Sequence, residues 1–509
     1  VLCVKYTVCI DVSTTSGVVR GQTLHVLNSS INQFLGIPYA EPPVGALRFA
    51  KPEPIKTPKP DVIDGTKAKY SCVQQTSPIG ANEDNQSEDC LFLNVWTPNT
   101  GRSETPGALK PIMFWIHGGG FIVGSSFEFP RGNGSALAVH DVVVVTINYR
   151  LGYFGFAYGG EQSTAPGNVG LWDQQLALKW VRENAEQFGG DRDQITIFGG
   201  SAGSMSVSAH VLSPLTKGLF RRAVMQSGAI FHYKGREGVS KTDQLTDTQA
   251  LAKRFNCTGD EWVRCLRAVP AKDFLKYPKV VQMPLEGDSV LPLLAQKAFT
   301  SHQYNTDLDI LSGIVQNEGT SLAQMVAPGI QNMTITVQKF TELVNASKAL
   351  FYGLNETTIT EFYVKHVNHS DPQAMRQAYY DYYGDVLIKC PTYLFAKKYQ
   401  ELSAGKSSAY FYELTYQSKG IGWLCPAGQV CHGAEGEFVF GTPLIAPEGY
   451  TQKDIDFSVR VMRLWTDFAK YGNPDSVWPQ LIDKSIVKVM DLNPSTDKHL
   501  FINPFNDIC

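Results

Sequence analysis

Continuous runs of apolar residues along the chain predict β-strands that are buried on both faces. The five clearest runs cover 112–116, 142–147, 195–198, 223–225 and 310–315. A strand without a polar face needs a covering layer on each side, which is typical of a parallel sheet packed between helices.

Helical periodicity between the second and third of these runs predicts one covering helix, from about 170 to 188. There Trp172, Leu176 and Trp180 recur at every fourth position. A strand, a helix and a second strand in this order form a parallel crossover. The pattern therefore predicts an α/β protein with a central, mostly parallel, twisted sheet and helices on both faces.

Three other segments of the chain show different patterns of hydrophobic and polar residues. Short alternating runs and many prolines at about 1–60 predict an antiparallel flank, and polar segments at about 240–300 and 330–405 predict helical insertions. No linker rich in glycine, serine or proline separates these parts, so we expect one domain over 1–509.

Near the end of the chain, apolar residues at helical spacing predict one more core helix. We expect it to end at Gly472 and Pro474, because neither residue readily continues a helix. Its apolar stripe consists of Ile455, Val459, Met462, Trp465 and Phe468.

The composition narrows the possible functions. Hydrophobic residues make up 43% of the chain and charged residues 18%, with a formal net charge of −3. The absence of a long apolar run or a heptad repeat argues against a membrane span and a coiled coil, and the composition argues against disorder. Well-mixed charges without a basic face argue against a nucleic-acid partner, so we expect a small neutral substrate.

Ten cysteines and eight Asn-x-Ser/Thr sequons indicate a secreted, glycosylated protein with disulfides. Free buried thiols and chance sequons are the alternative interpretation. Because the sequence starts at Val1 without a methionine or a basic leader, we expect it to begin at a processed terminus. The sequon asparagines are Asn28, Asn85, Asn133, Asn256, Asn332, Asn345, Asn355 and Asn368.

The segment 199–203, Gly-Gly-Ser-Ala-Gly, is the strongest indication of chemistry in the chain. It lies between the apolar run 195–198 and a stretch compatible with a helix, which is the setting of a nucleophile elbow. Such an elbow holds its serine at positive φ, and Gly199 and Gly203 remove the Cβ atoms that would collide there. Ser201 is therefore the predicted nucleophile of a serine hydrolase.

A serine hydroxyl needs an imidazole to take its proton and a carboxylate to orient that imidazole. In hydrolases with this elbow, the acid and then the base follow the serine along the chain. His366 and His369 lie in a polar insertion and His499 lies in a polar tail. His432 lies in a loop of small residues before an apolar run, so it is the predicted base.

Glu318 is the predicted acid of the site. It lies just beyond the run 310–315 and is therefore expected at the same edge of the sheet as Ser201. A solvated turn residue is the other interpretation of Glu318. The alternative acids are Asp307, Asp309 and Asp385.

A glycine loop after another strand predicts an oxyanion hole. The loop 117–121, His-Gly-Gly-Gly-Phe, lets the backbone approach a substrate and turn its amides inward. The amide of Ala202 adds a donor, and we expect His117 to brace the loop. No Gly-Lys-Ser/Thr follows, which argues against a phosphate site. The predicted acyl transfer needs neither a metal nor a cofactor.

Three longer motifs resemble those of the type-B carboxylesterase/lipase family, to which cholinesterases belong. They are 188–203 around the serine, 88–98 (Glu-Asp-Cys-Leu-Phe-Leu-Asn-Val-Trp-Thr-Pro) and 34–43 (Phe-Leu-Gly-Ile-Pro-Tyr-Ala-Glu-Pro-Pro). The resemblance runs from about residue 10 to 475. It implies an α/β-hydrolase fold and carboxylesterase activity.

The same resemblance implies roles for particular residues of this chain. The implied triad is Ser201, Glu318 and His432. The implied oxyanion donors are Gly119, Gly120 and Ala202. The implied disulfides join Cys72 to Cys90 and Cys257 to Cys265.

One pairing among the six remaining cysteines bears on the site. Cys431 adjoins the predicted base, and Cys425 lies six residues before it. We hypothesise a disulfide between them that fixes the histidine loop. A bridge from Cys431 to Cys390 or Cys509 is the alternative.

Departures from the family pattern bear on the substrate. The loop between Cys72 and Cys90 lacks the tryptophan with which cholinesterases hold a quaternary ammonium group, so choline esters are not expected. The loop is also short and polar, unlike the apolar flap of the family's lipases. The sequence therefore predicts a carboxylesterase for dispersed esters, with a lipase as the alternative.

Two further expectations complete the prediction. A non-catalytic adhesion protein with this fold is a remote alternative, because such relatives usually lack the serine or the histidine. The walls of the substrate pocket are expected to include Phe121, Phe231 and Trp423.

Overall fold

One large β-sheet dominates the described part of the chain. The structure, a computed structural model, describes residues 9–76, 85–98, 109–128, 132–231, 239–279, 282–348, 350–351, 353–403, 405–422, 425–496 and 499–509. The strands are β1 (Cys9–Thr14), β2 (Gly17–Val26), β3 (Ser29–Pro38), β4 (Lys59–Asp64), β5 (Ser71–Cys72), β6 (Gln86–Ser87), β7 (Phe92–Thr97), β8 (Lys110–Ile116), β9 (Val143–Ile147), β10 (Gly190–Gly200), β11 (Arg222–Gln226), β12 (Asp309–Val315), β13 (Ala409–Leu414), β14 (Ile482–Asp483), β15 (Ile486–Leu492) and β16 (Leu500–Ile502). The large sheet has 14 strands, and β5 and β6 form a separate pair.

The sheet is mostly parallel at its centre. Its strand order is β1-β2-β3-β7-β9-β8-β10-β11-β12-β13-β15-β14, with β4 beside β2 and β16 beside β15. Neighbouring strands from β9 to β15 in this order are parallel. Strands β1, β2, β3 and β7 pair in antiparallel fashion, whereas β4 is parallel to β2, so the flank is antiparallel only in part.

Helices surround the sheet and fill the two predicted insertions. They are α1 (Ser135–Ala138), α2 (Gly152–Phe156), α3 (Val169–Asn184), α4 (Ala202–Leu212), α5 (Lys241–Arg254), α6 (Trp262–Ala268), α7 (Ala271–Phe274), α8 (Ala295–Thr300), α9 (Gly319–Val326), α10 (Val337–Ser347), α11 (Glu356–Val364), α12 (Pro372–Gly384), α13 (Cys390–Leu402), α14 (Glu435–Val439), α15 (Thr442–Ile445) and α16 (Gln452–Tyr471). A π-helical segment, Asp385–Lys389, joins α12 to α13. Among the described helices, none is long and apolar enough to cross a membrane.

The core lies on both faces of the sheet, because side chains alternate along each strand. In β8, Phe114 packs in the layer that contains α3, α4 and α13. Its neighbours Met113 and Trp115 pack in the layer that contains α1, α14 and α16. This arrangement confirms the predicted α/β class.

The predicted helices are present, with one error in the last of them. The helix expected from about 170 to 188 is α3 followed by a 3-10 turn at Glu186–Phe188. The stripe assigned to α16 is wrong at Val459, which is 42% exposed. The buried face of α16 runs instead through Phe457 and Val461, because the side chain of Val459 points away from the sheet.

The topology brings four loops to one edge of the sheet. They follow the parallel strands β8, β10, β12 and β13, whose carboxyl ends share that edge. The loops carry the glycine segment 117–121 and the side chains of Ser201, Glu318 and His432. Open α/β sheets place their ligands at such an edge.

Candidate active site

Ser201 occupies the sharp turn between β10 and α4. Its φ is 57°, and its N–H donates to the carbonyl oxygen of Gln226 over 2.8 Å. A Cβ on Gly199 would lie 2.5 Å from the backbone of Gly203, and one on Gly203 would overlap the carbonyl oxygen of Ile116. Close packing of β10, α4 and β8 therefore requires both glycines.

Glu318 and His432 form a buried pair, although they are 114 residues apart in the chain. His432 Nδ1 donates to Glu318 Oε2 over 2.6 Å, and the N–H of Val315 donates to Glu318 Oε1 over 2.9 Å. The two bonds hold the carboxylate in one orientation at the end of β12. The carboxylate in turn places the proton of the neutral imidazole on Nδ1.

The pKa of His432 depends on its carboxylate neighbours. Burial by itself lowers this pKa, but the charge and hydrogen bond of Glu318 and the charge of Glu435 outweigh burial. The pKa of His432 therefore lies above its ordinary value. The imidazolium form is stabilised next to Glu318, as a base that must accept a proton requires.

The histidine loop is fixed to the loop of the acid by Asn317, which the sequence did not indicate. The N–H of Asn317 donates to the carbonyl oxygen of Val430 over 2.9 Å, and the N–H of Val430 donates to Asn317 Oδ1 over 2.9 Å. Cys431 is disulfide-bonded to Cys425, which is the pairing hypothesised for this loop. The chain is thus held at the two residues that directly precede His432.

The second nitrogen of His432 is unpaired within the described part of the chain. His432 Nε2 is buried and makes no hydrogen bond to any described residue, and His432 and Ser201 line the same cavity. Hydrogen bonds between a base and its nucleophile commonly tighten only when substrate is bound. The arrangement leaves an imidazole lone pair available on the serine side.

The glycine loop after β8 lines the same cavity. Gly119 and Gly120 have φ values of 103° and 61°, and both line the cavity together with Ala202. No hydrogen bond within the described residues uses the N–H of Gly119 or Gly120. Ala202 is the first residue of α4, so its N–H has no acceptor within the helix. These three donors are free to bind an anionic oxygen.

His117 braces the glycine loop. Its Nδ1 contacts the carbonyl oxygen of Gly118 over 2.9 Å, its ring stacks on Tyr149 at 4.4 Å, and the Tyr149 hydroxyl donates to the His117 carbonyl over 2.9 Å. Burial lowers the pKa of His117 to about 4, although the bond to Gly118 opposes the shift. His117 is therefore neutral at physiological pH.

A half-buried lysine, Lys279, supports the other end of the glycine loop, and the sequence did not indicate this role. The N–H of Gln282 donates to the carbonyl oxygen of Gly120 over 3.2 Å. Lys279 Nζ donates to Gln282 Oε1 over 2.6 Å and pairs with Asp247 at 2.7 Å. These contacts anchor the glycine loop to the first helical insertion.

The site opens into a cavity of about 450 Å³. Its apolar lining comes from α4, α9, the π-helical segment and neighbouring loops, and it includes Met205, Met283, Leu322, Met325, Val326, Leu387 and Ile388. Glu128 and Glu435 also line it, whereas the described part of the lining contains no lysine or arginine. The cavity fits a neutral or cationic organic molecule better than an anion.

Of the three residues expected in the pocket wall, only Phe121 is among the described residues that line the cavity. Phe231 is not among the described residues that line this cavity, and its ring packs on Phe299 and Phe395 at 6.0 and 6.5 Å, so its place in the wall stays a prediction. Trp423 lies outside the described residues.

Four disulfides lie within the described residues. They join Cys72 to Cys90, Cys257 to Cys265, Cys390 to Cys509 and Cys425 to Cys431. The first two are the pairs that the family resemblance implies. Because Cys390 and Cys509 bind each other, the alternative bridges from Cys431 are absent.

The fold and the arrangement at the sheet edge are those of an α/β-hydrolase. A model described as "Carboxylesterase family" matches residues 9–504. The chain is 36% identical to "Cholinesterase" from Mus musculus, with 96% of this chain and 84% of the relative covered. It is 35% identical to "Acetylcholinesterase-1" from Trittame loki (90% and 86% covered) and 32% identical to "Acetylcholinesterase" from Bungarus fasciatus (92% and 80%). The chain belongs to the carboxylesterase family, and it is a carboxylic ester hydrolase.

Proposed function

We propose that the chain cleaves esters through an acyl-serine intermediate, with Ser201 as nucleophile, His432 as base and Glu318 as the acid that orients the base. The contact of 2.6 Å between His432 Nδ1 and Glu318 Oε2 carries this proposal, because it lies at the cavity that Ser201 also lines. A carboxylate on Nδ1 leaves the lone pair of Nε2 available for the serine proton.

The reaction has two halves. Ser201 Oγ attacks the ester carbonyl while His432 Nε2 takes the hydroxyl proton, and the tetrahedral intermediate then expels the alcohol, which receives that proton. Water next attacks the acyl-serine with His432 again as base. This step releases the carboxylic acid and restores the hydroxyl of Ser201.

The negative oxygen of each tetrahedral intermediate is bound by the N–H groups of Gly119, Gly120 and Ala202. Their unused hydrogen-bonding capacity and their position at the cavity support this role. Preoriented amides stabilise such an oxygen strongly because they need no reorganisation when the charge develops.

An organophosphate label tests the mechanism. We expect a dialkyl fluorophosphate to modify Ser201 alone, as located by peptide mass spectrometry, and to abolish ester hydrolysis in proportion to labelling. Ser201→Ala should remove the label and the activity, whereas Ser301→Ala, at an exposed serine, should retain both. Labelling of another residue in active protein would contradict the role of Ser201, and an inert protein would favour the adhesion alternative.

Dispersed esters are the substrates that we propose. The polar loop between Cys72 and Cys90 supports this choice, since Gln74 in that loop exchanges two hydrogen bonds of 2.8 Å with Gly124 at the cavity wall. A loop whose first residues are held by polar contacts is a poor lid for opening at an oil surface. Residues 77–84 of the loop lie outside the described part. A sharp rate increase above the solubility limit of tributyrin would instead indicate a lipase.

Choline esters are a second candidate, because the similar proteins bear cholinesterase names. The absence of a tryptophan between Cys72 and Cys90 opposes that specificity. Hydrolysis of acetylcholine and of its neutral analogue 3,3-dimethylbutyl acetate distinguishes a cholinesterase from an esterase for neutral esters. We expect similar kcat/KM values for the pair, whereas a strong preference for acetylcholine would establish a cholinesterase.

Secretion with N-linked glycans follows from the sequons and disulfides. Seven of the eight sequon asparagines are exposed and Asn133 is half-buried, which supports access by the glycosylation machinery. Expression in a secretory host followed by glycosidase treatment should lower the apparent mass. An unchanged mass would contradict glycosylation.

A further inference from the structure

Gly200, directly before the nucleophile, differs from the other glycines of its segment. Its φ is not in the left-handed region. A Cβ built on Gly200 would lie 3.4 Å from the ring of Trp115 and 3.9 Å from the carbonyl oxygen of Gln226, which are ordinary contacts. Gly199 and Gly203 by contrast have no room for a Cβ. Neither the backbone nor the packing therefore requires glycine at position 200.

The space that Gly200 leaves open belongs to the active-site cavity. Gly200, Trp115, Gln226, Glu435 and Phe440 all line that cavity. The rings of Trp115 and Phe440 pack edge to face with centroids 4.9 Å apart, and Trp115 is 8% exposed. They form a rigid aromatic wall next to the nucleophile, against which a flat group can pack.

Glu435 adds a polar group to this wall. Its Oε2 is buried and has no hydrogen-bond partner among the described residues. Burial and the charge of Glu318 raise the pKa of Glu435 to about 7, against the charge of His432 and weaker hydrogen bonding from the backbone and the Gln226 side chain. A buried carboxyl oxygen without a donor is costly, so a ligand that supplies a donor is favoured there.

The chemistry of the proposed reaction decides which part of an ester occupies this space. The leaving alcohol must lie beside His432, because it receives the proton from that imidazole. Glu435 and Gly436 follow His432 by three and four residues and line the same cavity. The acyl group then occupies the remaining apolar lining, from α9 and the π-helical segment.

We propose that Gly200 is a specificity-determining residue that opens an alcohol subsite between Trp115 and Glu435. The subsite takes esters of bulky, flat alcohols that carry a hydrogen-bond donor. This inference rests on the proposed function, because it assigns the alcohol side by the position of His432.

Three acetates that share one acyl group test the size of the subsite and its polarity: ethyl, 3-ethylbenzyl and 3-(hydroxymethyl)benzyl acetate. We expect Gly200→Val to lower the kcat/KM ratio of 3-ethylbenzyl to ethyl acetate by about tenfold or more, because its side chain fills the subsite. Gly200→Ala should lower the ratio less. Intrinsic ester reactivity cancels, since each substrate is compared between two enzymes.

A variant from the acyl lining serves as the matched control. Leu387→Ala should change the preference between acetyl and butanoyl esters of one alcohol and leave the ratio of benzyl to ethyl esters as it is. If Leu387→Ala shifts the alcohol ratio as strongly as Gly200→Val does, the assignment of the alcohol side is wrong.

The polar half of the proposal depends on Glu435. The hydroxymethyl and ethyl substituents are nearly isosteric, so their kcat/KM ratio measures recognition of the donor. Glu435→Met should lower this ratio by about tenfold, and Glu435→Gln, which keeps an acceptor, should restore part of it. An unchanged ratio in both variants would overturn the donor assignment.

Organophosphate titration distinguishes a failure of the proposed alcohol subsite from a failure of the proposed function. It counts competent sites in every variant, so misfolded protein does not enter the ratios. If Ser201 is labelled and the alcohol ratio does not respond to either Gly200 variant, the subsite is refuted and the proposed function stands. If Ser201 is not labelled in the unmodified chain, the proposed function fails and the subsite fails with it.

Discussion

At the scale of single residues, Ser201 keeps a strained backbone conformation because its surroundings leave no alternative. A non-glycine residue at φ 57° costs about 1 to 3 kcal/mol. The bond from its N–H to Gln226 and the close approach of Gly203 to Ile116 hold the turn in place. The turn places Ser201 at the edge of the sheet, beside the cavity that His432 and the glycine loop also line.

Two glycines in one segment give a matched prediction of stability. Gly203→Ala should lower the free energy of unfolding by about 3 kcal/mol, because the added methyl group overlaps the carbonyl of Ile116. Gly200→Ala should change it by less than about 1 kcal/mol, since its Cβ has an ordinary contact distance. Denaturant unfolding monitored by tryptophan fluorescence measures both, and equal losses would contradict the packing argument.

The pH dependence of hydrolysis is a second prediction at this scale. Only neutral His432 can accept the serine proton, so kcat/KM should fall as pH drops through a pKa above the ordinary value of about 6.5. Glu318→Gln removes the charge that most strongly opposes the effect of burial. Its acid limb should therefore move to lower pH, and its rate should fall about 10⁴-fold. An acid limb that stays in place would show that Glu318 does not act on the base.

At the scale of elements, the site depends on a loop without regular structure. The segment that carries His432 is held by the two bonds between Asn317 and Val430 and by the Cys425–Cys431 disulfide. A loop that is restrained directly before a catalytic residue loses little entropy when it aligns that side chain. The helices and strands set the edge, and these few contacts set the position of the imidazole.

Two disulfides of similar span allow a test of whether the Cys425–Cys431 bridge positions the histidine loop. Replacing Cys425 and Cys431 by serine should cost about 2 kcal/mol of stability and also lower kcat, because the histidine loop gains freedom. Replacing Cys257 and Cys265 should cost a similar amount and leave kcat unchanged, since neither residue adjoins a residue of the described cavity lining, whereas Cys431 adjoins His432. The free energy of unfolding and kcat, measured for both double variants, test this prediction. Equal effects on kcat would refute a positioning role for the first disulfide.

At the scale of the whole molecule, a buried ion pair ties the helical layer to the sheet. Arg150, which lies beyond β9, makes three bonds of 2.7 to 3.0 Å to Asp173 in α3. Their side chains are 4% and 0% exposed. Such a pair fixes the arrangement of layers more than it adds net stability, and losing one partner leaves a buried charge.

The cost of leaving a buried charge unpaired predicts the effect of removing Arg150 from this pair. Arg150→Met should lower the free energy of unfolding by about 3 to 5 kcal/mol, because Asp173 stays buried without its cation. Arg20→Met breaks a half-exposed pair with Asp11 and should cost less than about 1 kcal/mol. Thermal unfolding of both variants provides the comparison. Equal shifts would mean that burial of the first pair has no energetic consequence.

The sequence predicted the parts of this molecule whose residues repeat at a regular period. Continuous apolar runs identified β8 to β12, but β13 and β15 were missed because they carry charged residues such as Glu413 and Asp491 that are nevertheless buried. Motifs identified the loops of the site. Asn317 was missed, because a polar residue that acts across 113 positions leaves no local pattern. The sequence also cannot assign Phe231 to the core or to the pocket, because an aromatic residue suits both.

The central claim is that Ser201, His432 and Glu318 act as one unit, and the kcat of single and double alanine variants tests it most directly. Ser201→Ala and His432→Ala should each lower kcat by about 10⁴ to 10⁶-fold, and the double variant should be no slower than the worse single variant. Multiplicative effects in the double variant, or a His432→Ala enzyme that keeps its turnover, would contradict the account.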